Sequence, residues 1–274
     1  MSVTITATDI NKLRQATGAG MLDCRKALTE SNGDFEAAID WLRKQGQKVA
    51  AKRSDREAKE GVIIAKTTAD HKSGIILCIS AETDFVSRNP EFVAFVQSIA
   101  NAAIDRNVQS IGELNEVMIG NEKISELVND KLAAIGEKIG ITRLERVNAD
   151  YVASYIHGAY RMGVLVCMNL HEYEAGRDVA MQIAAMNPLA VDESSVPAET
   201  IAREKEIAIE QIKAEGKPAE MAEKIAMGKV NKFFKENTLM AQAFVKDSSK
   251  SVSEYLKSVN PELKIIEFKR VALG

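Results

Sequence analysis

The stretch 61-GVIIAKTTADHKSGIILCIS-80 holds two aliphatic, β-branched runs, 61-GVIIAK-66 and 74-GIILCIS-80, on either side of the turn-like 67-TTADHKS-73. Short runs of this kind bounded by small and polar residues predict strands, and a close pair of them predicts a hairpin. The stretch decides the fold class because what precedes it is helical in pattern. In 34-DFEAAIDWLRKQG-46 the residues Phe35, Ala38, Ile39 and Leu42 recur at i, i+3, i+4 and i+7, which predicts an amphipathic helix starting at Asp34 and ending at Gly46. Two weaker helical segments, 9-DINKLRQA-16 and 22-LDCRKALTE-30, are joined by 17-TGAGM-21, whose glycines permit a tight turn. The first fifty or so residues therefore read as a three-helix module. The stretch 47-QKVAAKRSDREAKEG-61 carries charge of both signs and little apolar content, as a linker or a solvated helix would.

Beyond the hairpin, Asn89 and Pro90 are start signals for a helix with the stripe Phe92, Phe95, Val96, Ile99 and Ala103. Helical sequence continues to about Gly140, followed by strand-like 141-ITRLERV-147 and 163-GVLVCMNL-170, and 263-LKIIEFKRVAL-273 reads as a last strand. Strands and helices in separate runs predict an α+β fold. Residues 198 to 234 form a long helical pattern broken at Gly216-Lys217-Pro218, which predicts a helical hairpin. Its apolar stripe is thin, with Ile201, Ala208 and Ile212 facing Met221 and Ile225, so the hairpin is expected to project into solvent, free to meet another chain.

Composition narrows the function. The chain has 274 residues, 46% of them hydrophobic, and a formal net charge of −3 from 36 basic and 39 acidic side chains that are interspersed. No global field favours a nucleic acid. Three cysteines, Cys24, Cys78 and Cys167, are far apart and form no C-x-x-C, which suits a reducing compartment. The opening MSVTITATDINK has neither a signal-peptide nor a transit-peptide pattern, and no apolar run reaches membrane-spanning length, so a cytoplasmic protein without membrane contact is expected. Sites for bond chemistry are missing in pattern. There is no phosphate-binding loop; 18-GAGMLD-23 departs from the dinucleotide fingerprint at Asp23; His171-Glu172 begins a zinc motif that Ala175 leaves incomplete. His71, His157 and His171 have no metal-ligand spacing. A binding protein is expected, not an enzyme.

One stretch fits poorly with its neighbours: 82-ETDFVSRN-89 sets Phe85 among polar and small residues. Read from the residues alone, Phe85 tucks back onto the following helix and covers its first turn. The same stretch, however, resembles the second signature of the elongation factor Ts family, exchange factors of the GTPase elongation factor Tu. The segment 13-LRQATGAGMLDCRKAL-28 resembles the first signature. Further matches are 135-IGEKIGITR-143, 157-HGAYRMGVLV-166, 183-IAAMNP-188, 215-EGKPAEMAEKIAMGKVNKFF-234 and 242-QAFVKD-247, in the family's order. The chain departs from the family at Ser80 and Cys78, where an asparagine and an acidic residue are common, and at Ala243, where a proline is common. Some relatives continue into a C-terminal helical module, and the contact it makes is expected to be missing after 271-VALG-274.

The resemblance implies an N-terminal three-helix module like ubiquitin-associated domains (1–55), an α+β core of two related subdomains with antiparallel sheets (56–179 and 231–274), and an inserted antiparallel coiled coil (180–230). It implies that Asp84 and Phe85 reach into the partner's GTPase domain, and that Met21, Leu22, Arg25, Ile135, Gly136, His157 and Val245 also contact elongation factor Tu. GDP, GTP and Mg²⁺ would be bound by the partner, with no cofactor on this chain, and the arm leaves room for a homodimer and a two-to-two complex. Other roles stay open on the residues: Met21 and Leu22 as core of the small module, Arg25 as a solvated charge, Ile135-Gly136 as a helix end, His157-Gly158 as a turn. A helix-binding scaffold without exchange activity is the alternative function.

Overall fold

A computed structural model describes residues 4–53, 55–214 and 219–274. The chain opens with α1 (Ala7–Thr17), α2 (Met21–Glu30) and α3 (Phe35–Lys52). Thr6 caps α1 reciprocally, accepting the Asp9 N–H while its own N–H donates to the Asp9 carboxylate. Asp34 accepts the Ala37 N–H at the start of α3. Leu13, Cys24, Ala27, Leu28, Ala38 and Leu42 bury one another where the three helices meet, so the module has its own small core.

Two units of the same topology follow. In the first, β1 (Glu60–Thr67) and β2 (Ser73–Ala81) form the expected antiparallel hairpin, with Glu60 opposite Ala81 and Thr67 opposite Gly74. The chain then passes through α4 (Asp84–Ser87), α5 (Pro90–Asp105), α6 (Ile111–Glu116), the short pair β3 (Met118–Ile119) and β4 (Glu122–Lys123), and α7 (Ile124–Ile135). It returns as β5 (Gly140–Asn148), antiparallel on the other edge of β2. In the second unit β6 (Tyr151–His157) and β7 (Met162–Met168) form the hairpin and α8 (Tyr173–Met186) packs behind it. The strand β10 (Ile265–Ala272) closes the sheet on the other edge of β7. The orders β1-β2-β5 and β6-β7-β10 are one arrangement used twice, which no local pattern in the sequence displays.

Strand alternation sorts the apolar residues between two layers. Val62, Ile64, Ile75, Leu77 and Ile79 face the helices of the first unit. Their neighbours Ile63, Ala65, Ile76 and Cys78 face the other way, onto Val152, Leu165, Cys167 and Val271 of the second sheet. Both faces of β1 and β2 are therefore buried, which is why those strands read as continuous apolar runs. The sheets meet closely: a Cβ on Gly163 would lie 2.8 Å from Ile63 Cγ2 and 3.2 Å from the Ala65 Cβ.

Gly46 does not end α3 as the sequence suggested. The helix runs on to Lys52, and Gly46 faces α7, where a Cβ would stand 2.4 Å from that of Ala133. Its role is close approach of two helices. Arg43, one turn earlier, pairs with Glu122 and, at 3.4 Å, with Asp130. The stretch read as a linker or a solvated helix is helical as far as Lys52 and is then tethered, with Arg53 and Arg56 both paired to Glu82.

The arm consists of α9 (Ala198–Ala214) and α10 (Ala219–Asn237). The turn at Gly216-Lys217-Pro218 and the side chain of Met221 lie outside the described residues. Residues 180–186, expected within the arm, belong to α8, where Ala180, Ile183 and Ala184 are buried in the second unit's core. The arm's root is held by Ala190, Val196, Val230 and Phe234, and a separate cluster of Ala208, Ile212 and Ala226 lies farther out. After it, β8 (Ala243–Phe244), β9 (Asp247–Ser251) and α11 (Val252–Val259) lead back to β10.

Two outcomes follow from this packing. Gly163→Val, which forces a branched side chain between the sheets, is expected to destabilise the chain by about 1–3 kcal/mol in denaturant unfolding. Replacing residues 205–224 by a short linker leaves the root cluster in place, so the main unfolding transition is expected to keep its midpoint within a few degrees.

Candidate partner-binding site

The strand β2 delivers Glu82 and Thr83 to the one-turn helix α4. Thr83 donates from its backbone N–H and its hydroxyl to the Glu137 carboxylate, at 3.0 and 2.7 Å. In return the Lys138 N–H donates to Glu82 at 2.6 Å. The Glu82 carboxylate also receives Arg53 at 2.7 and 2.9 Å and Arg56 at 3.2 Å. These donors, Arg53 foremost and then the Lys138 amide, hold the Glu82 carboxyl down to about 2.

Anchored there, α4 turns Val86 into the core of the first unit and leaves Phe85 outside it. Phe85 is 85% exposed. It does not cover the first turn of α5, as its local sequence suggested; Val86 is the buried neighbour. Asp84 pairs with Arg88 one turn on, at 3.0 Å, and Asn89 caps α5 through the Glu91 N–H at 2.8 Å.

The loop that braces α4 carries the next two residues. Ile135 is the exposed last residue of α7, and Gly136 ends that helix in the left-handed conformation at φ 78°, its N–H donating to the Leu132 carbonyl. The α1–α2 turn lies beside the same helix end: a Cβ on Gly18 would sit 3.8 Å from that of Ala134. That turn starts α2, whose buried face is Cys24, Ala27 and Leu28. Met21, Leu22 and Arg25 occupy the outer face, Leu22 at 81% exposure, so Met21 and Leu22 are not core residues of the module.

His157 is exposed at the end of β6, its Nδ1 3.0 Å from the Tyr155 hydroxyl. The turn after it runs through Gly158, Ala159 and Tyr160, all at positive φ. It is tied to β1 where Ile63 N–H donates to the Tyr160 carbonyl, and where Arg161 pairs with Glu60. Arg161 also lies within the field of Asp84, which helps to raise its pKa after the larger effect of Glu60. The turn is thus fixed to β1, the strand on which α4 also packs. Val245 belongs instead to the second unit: its N–H donates to the buried Gln182 at 2.8 Å, Phe244 stacks on Tyr255, and Lys246 reaches Asp178. Val245 itself is exposed.

The structure thus gathers Met21, Leu22, Ile135, Gly136, Asp84 and Phe85 about one helix end, with His157 on the turn fixed to β1 and Val245 apart. The sequence reading assigned no role to Glu82, Glu137, Arg53 and Arg56, whose bonds join the segments of Asp84, Phe85 and Ile135. The one available signal was a carboxylate inside each of two quoted segments, Glu82 in 82–89 and Glu137 in 135–143. Among the described residues no group of three or more His, Cys, Asp or Glu could hold a metal ion. Among them, too, no helix is long and apolar enough to cross a membrane.

Residues 82–274 match the family described as elongation factor TS. Over nearly its whole length the chain is also 47% identical to the elongation factor Ts of Flavobacterium psychrophilum, with 99% of each chain covered. The chain belongs to the elongation factor Ts family. It is 45% identical to the member from Cytophaga hutchinsonii, covering 99% of both, and 44% identical to that from Christiangramia forsetii, covering 98% and 99%. Membership carries the family's general role, nucleotide exchange on elongation factor Tu in translation elongation. Of the departures from the family pattern, Cys78 faces the second sheet, Ser80 donates to the Gly140 carbonyl at 3.3 Å, and Ala243 is exposed.

A carboxyl held below its usual range stabilises the fold above that range, and the contribution is lost as pH falls through the lowered value. Glu82 is therefore expected to stay ionised at pH 4, where an ordinary glutamate near 4.5 is mostly protonated, and to release Arg53 only toward pH 2. Carbon-detected NMR titration of the Glu82 carboxyl checks this.

Proposed function

We propose that the chain exchanges nucleotide on elongation factor Tu by inserting Phe85 between elements of the partner's GTPase domain. Asp84, Ile135, Gly136, Met21, Leu22, Arg25 and His157 make the surrounding contacts, and Val245 a separate one. No covalent bond is made or broken. If the chain binds the nucleotide-free partner more tightly than the GDP-bound partner, reciprocity requires it to weaken GDP binding by the same factor. The inserted ring shifts the elements that hold Mg²⁺ and phosphate; GDP leaves, GTP enters, and the complex dissociates. Nucleotide and metal stay with the partner throughout.

The observation that carries this reading is the position of Phe85: a fully presented aromatic ring on a backbone fixed by charge-assisted hydrogen bonds. An exposed ring contributes little to the free protein, whereas a pocket on a partner gains its whole burial. The other exposed apolar side chains of the group stand around the same helix end.

Release of labelled GDP from elongation factor Tu tests the reading. Phe85→Ala is expected to leave the unfolding midpoint of the free chain unchanged. In the complex it forfeits about 1.5–3 kcal/mol of apolar burial, which is roughly ten to more than a hundredfold in affinity. Asp84→Ala is expected to be milder, because its carboxylate is half exposed and already paired with Arg88. Were Phe85 structural, truncation would instead cost about 3–5 kcal/mol of folding stability with normal exchange by the folded fraction. Unaltered GDP release in the presence of the intact chain would leave it a helix-binding scaffold.

A further inference from the structure

Glu82 joins three stretches of chain that each lead to a partner-facing group. Arg53 and Arg56, which it pairs, stand just past α3 and so end the N-terminal module with Met21 and Leu22. Lys138, whose N–H it accepts, comes three residues after Ile135. On its own segment it stands just before Thr83, Asp84 and Phe85. Glu137 answers from the opposite loop by taking both donors of Thr83. Each carboxylate binds the backbone of the segment that carries the other, which fixes two loops against sliding and twisting in a way that a single bond does not. Glu82 is itself largely covered, its side chain 12% exposed.

We propose that Glu82 and Glu137 are positioning residues for exchange, a reciprocal clasp that presets Phe85, Ile135 and the N-terminal module in the arrangement the partner meets. The inference rests on the exchange reading above and adds to it how the site is held ready. Phe85 has almost no burial of its own to fix it, and within α4 Val86 is the buried apolar side chain. Charge-assisted bonds are the stronger class, and here they hold Glu82 and Thr83, the two residues that lead into the ring's short helix. Without them the two loops sample arrangements of which only a fraction fits the partner, and apparent affinity falls by that fraction. Once the complex has formed, however, the ring is in place. The clasp therefore acts on the concentration of factor needed for exchange and spares the saturating rate, whereas Phe85, which supplies both contact and wedge, acts on both.

The test titrates the full chain against elongation factor Tu carrying fluorescent GDP, comparing the unaltered protein with Glu82→Ala, Glu137→Ala and Phe85→Ala. Hydrogen exchange is measured on each free variant. If the fitting arrangement is populated about a tenth of the time without the clasp, half-saturation for Glu82→Ala rises about tenfold while the saturating rate stays within about twofold. Glu137→Ala is expected to do the same. The Thr83 and Lys138 amides lose protection in both, and those within β2 and β5 keep theirs. Phe85→Ala raises half-saturation too, but it also lowers the saturating rate and leaves the amides protected. A normal half-saturation in Glu82→Ala beside a defective Phe85→Ala would overturn the clasp and spare the exchange reading. Normal exchange by Phe85→Ala would overturn that reading and the clasp's role with it. Should Glu82→Ala fail to fold, Glu82→Gln takes its place; loss of the folding transition there too would make Glu82 a stability residue and end the proposal.

Discussion

The contact on which the rest of this structure depends is the one between its two sheets. Ile63, Ala65, Ile76 and Cys78 of the first lie against Val152, Leu165 and Cys167 of the second, so closely that Gly163 has no room for a side chain. Each sheet is covered on its far side by its own helices, and neither could leave its inner face to water without exposing a row of large aliphatic residues. The segments that carry Phe85 and His157 both lead directly from strands of this double layer. The turn after His157 is held by a hydrogen bond from β1, a strand of the other unit.

On that rigid base the site combines two kinds of interaction with opposite behaviour. The groups proposed as contacts, Phe85, Leu22, Met21 and Ile135, are apolar and exposed, so they bury little in the free fold. What ties the segments of Phe85 and Ile135 together is polar: Glu82, Glu137, Arg53 and the Lys138 amide. This division separates placement from binding. An apolar patch that fixed itself by self-burial would hide the surface the partner needs, whereas a charged brace at its base leaves the surface bare and still ordered.

Local patterns in the sequence were sufficient for the β1–β2 hairpin, for α5 with its Asn89 and Pro90 start, and for the apolar stripe of α3. They were insufficient where a residue's meaning lay in a distant partner. Gly46 looks like a helix end, and only the position of Ala133 makes it a contact. Gly176 similarly weakens the helical pattern of α8, yet it is there because a Cβ would come 2.7 Å from that of Ala153. The residues alone pointed to Phe85 as the covered side chain, since a single turn of helix has no periodicity to show that Val86 takes that place; the turn follows Thr83, which Glu137 pins. The candidate contact residues came from resemblance to a family, and the charges that position them pair residues too far apart in the chain for any local pattern to connect.

The base of the arm has a consequence of its own. Where the arm leaves the core and where it returns, the two backbones run side by side: Leu189 donates to the Asn237 carbonyl at 2.8 Å, and the Leu239 and Met240 amides donate to Ala190 and Val191 at 2.9 Å. Ala190 and Thr238 form a parallel bridge. The entry and exit points are thus stitched together before α9 begins, and the core meets the same short gap whatever is spliced into it. The arm is a cassette. Selection can lengthen it, trim it or replace its tip without moving a strand of either sheet, and the same seam offers a place to graft a foreign module onto this scaffold.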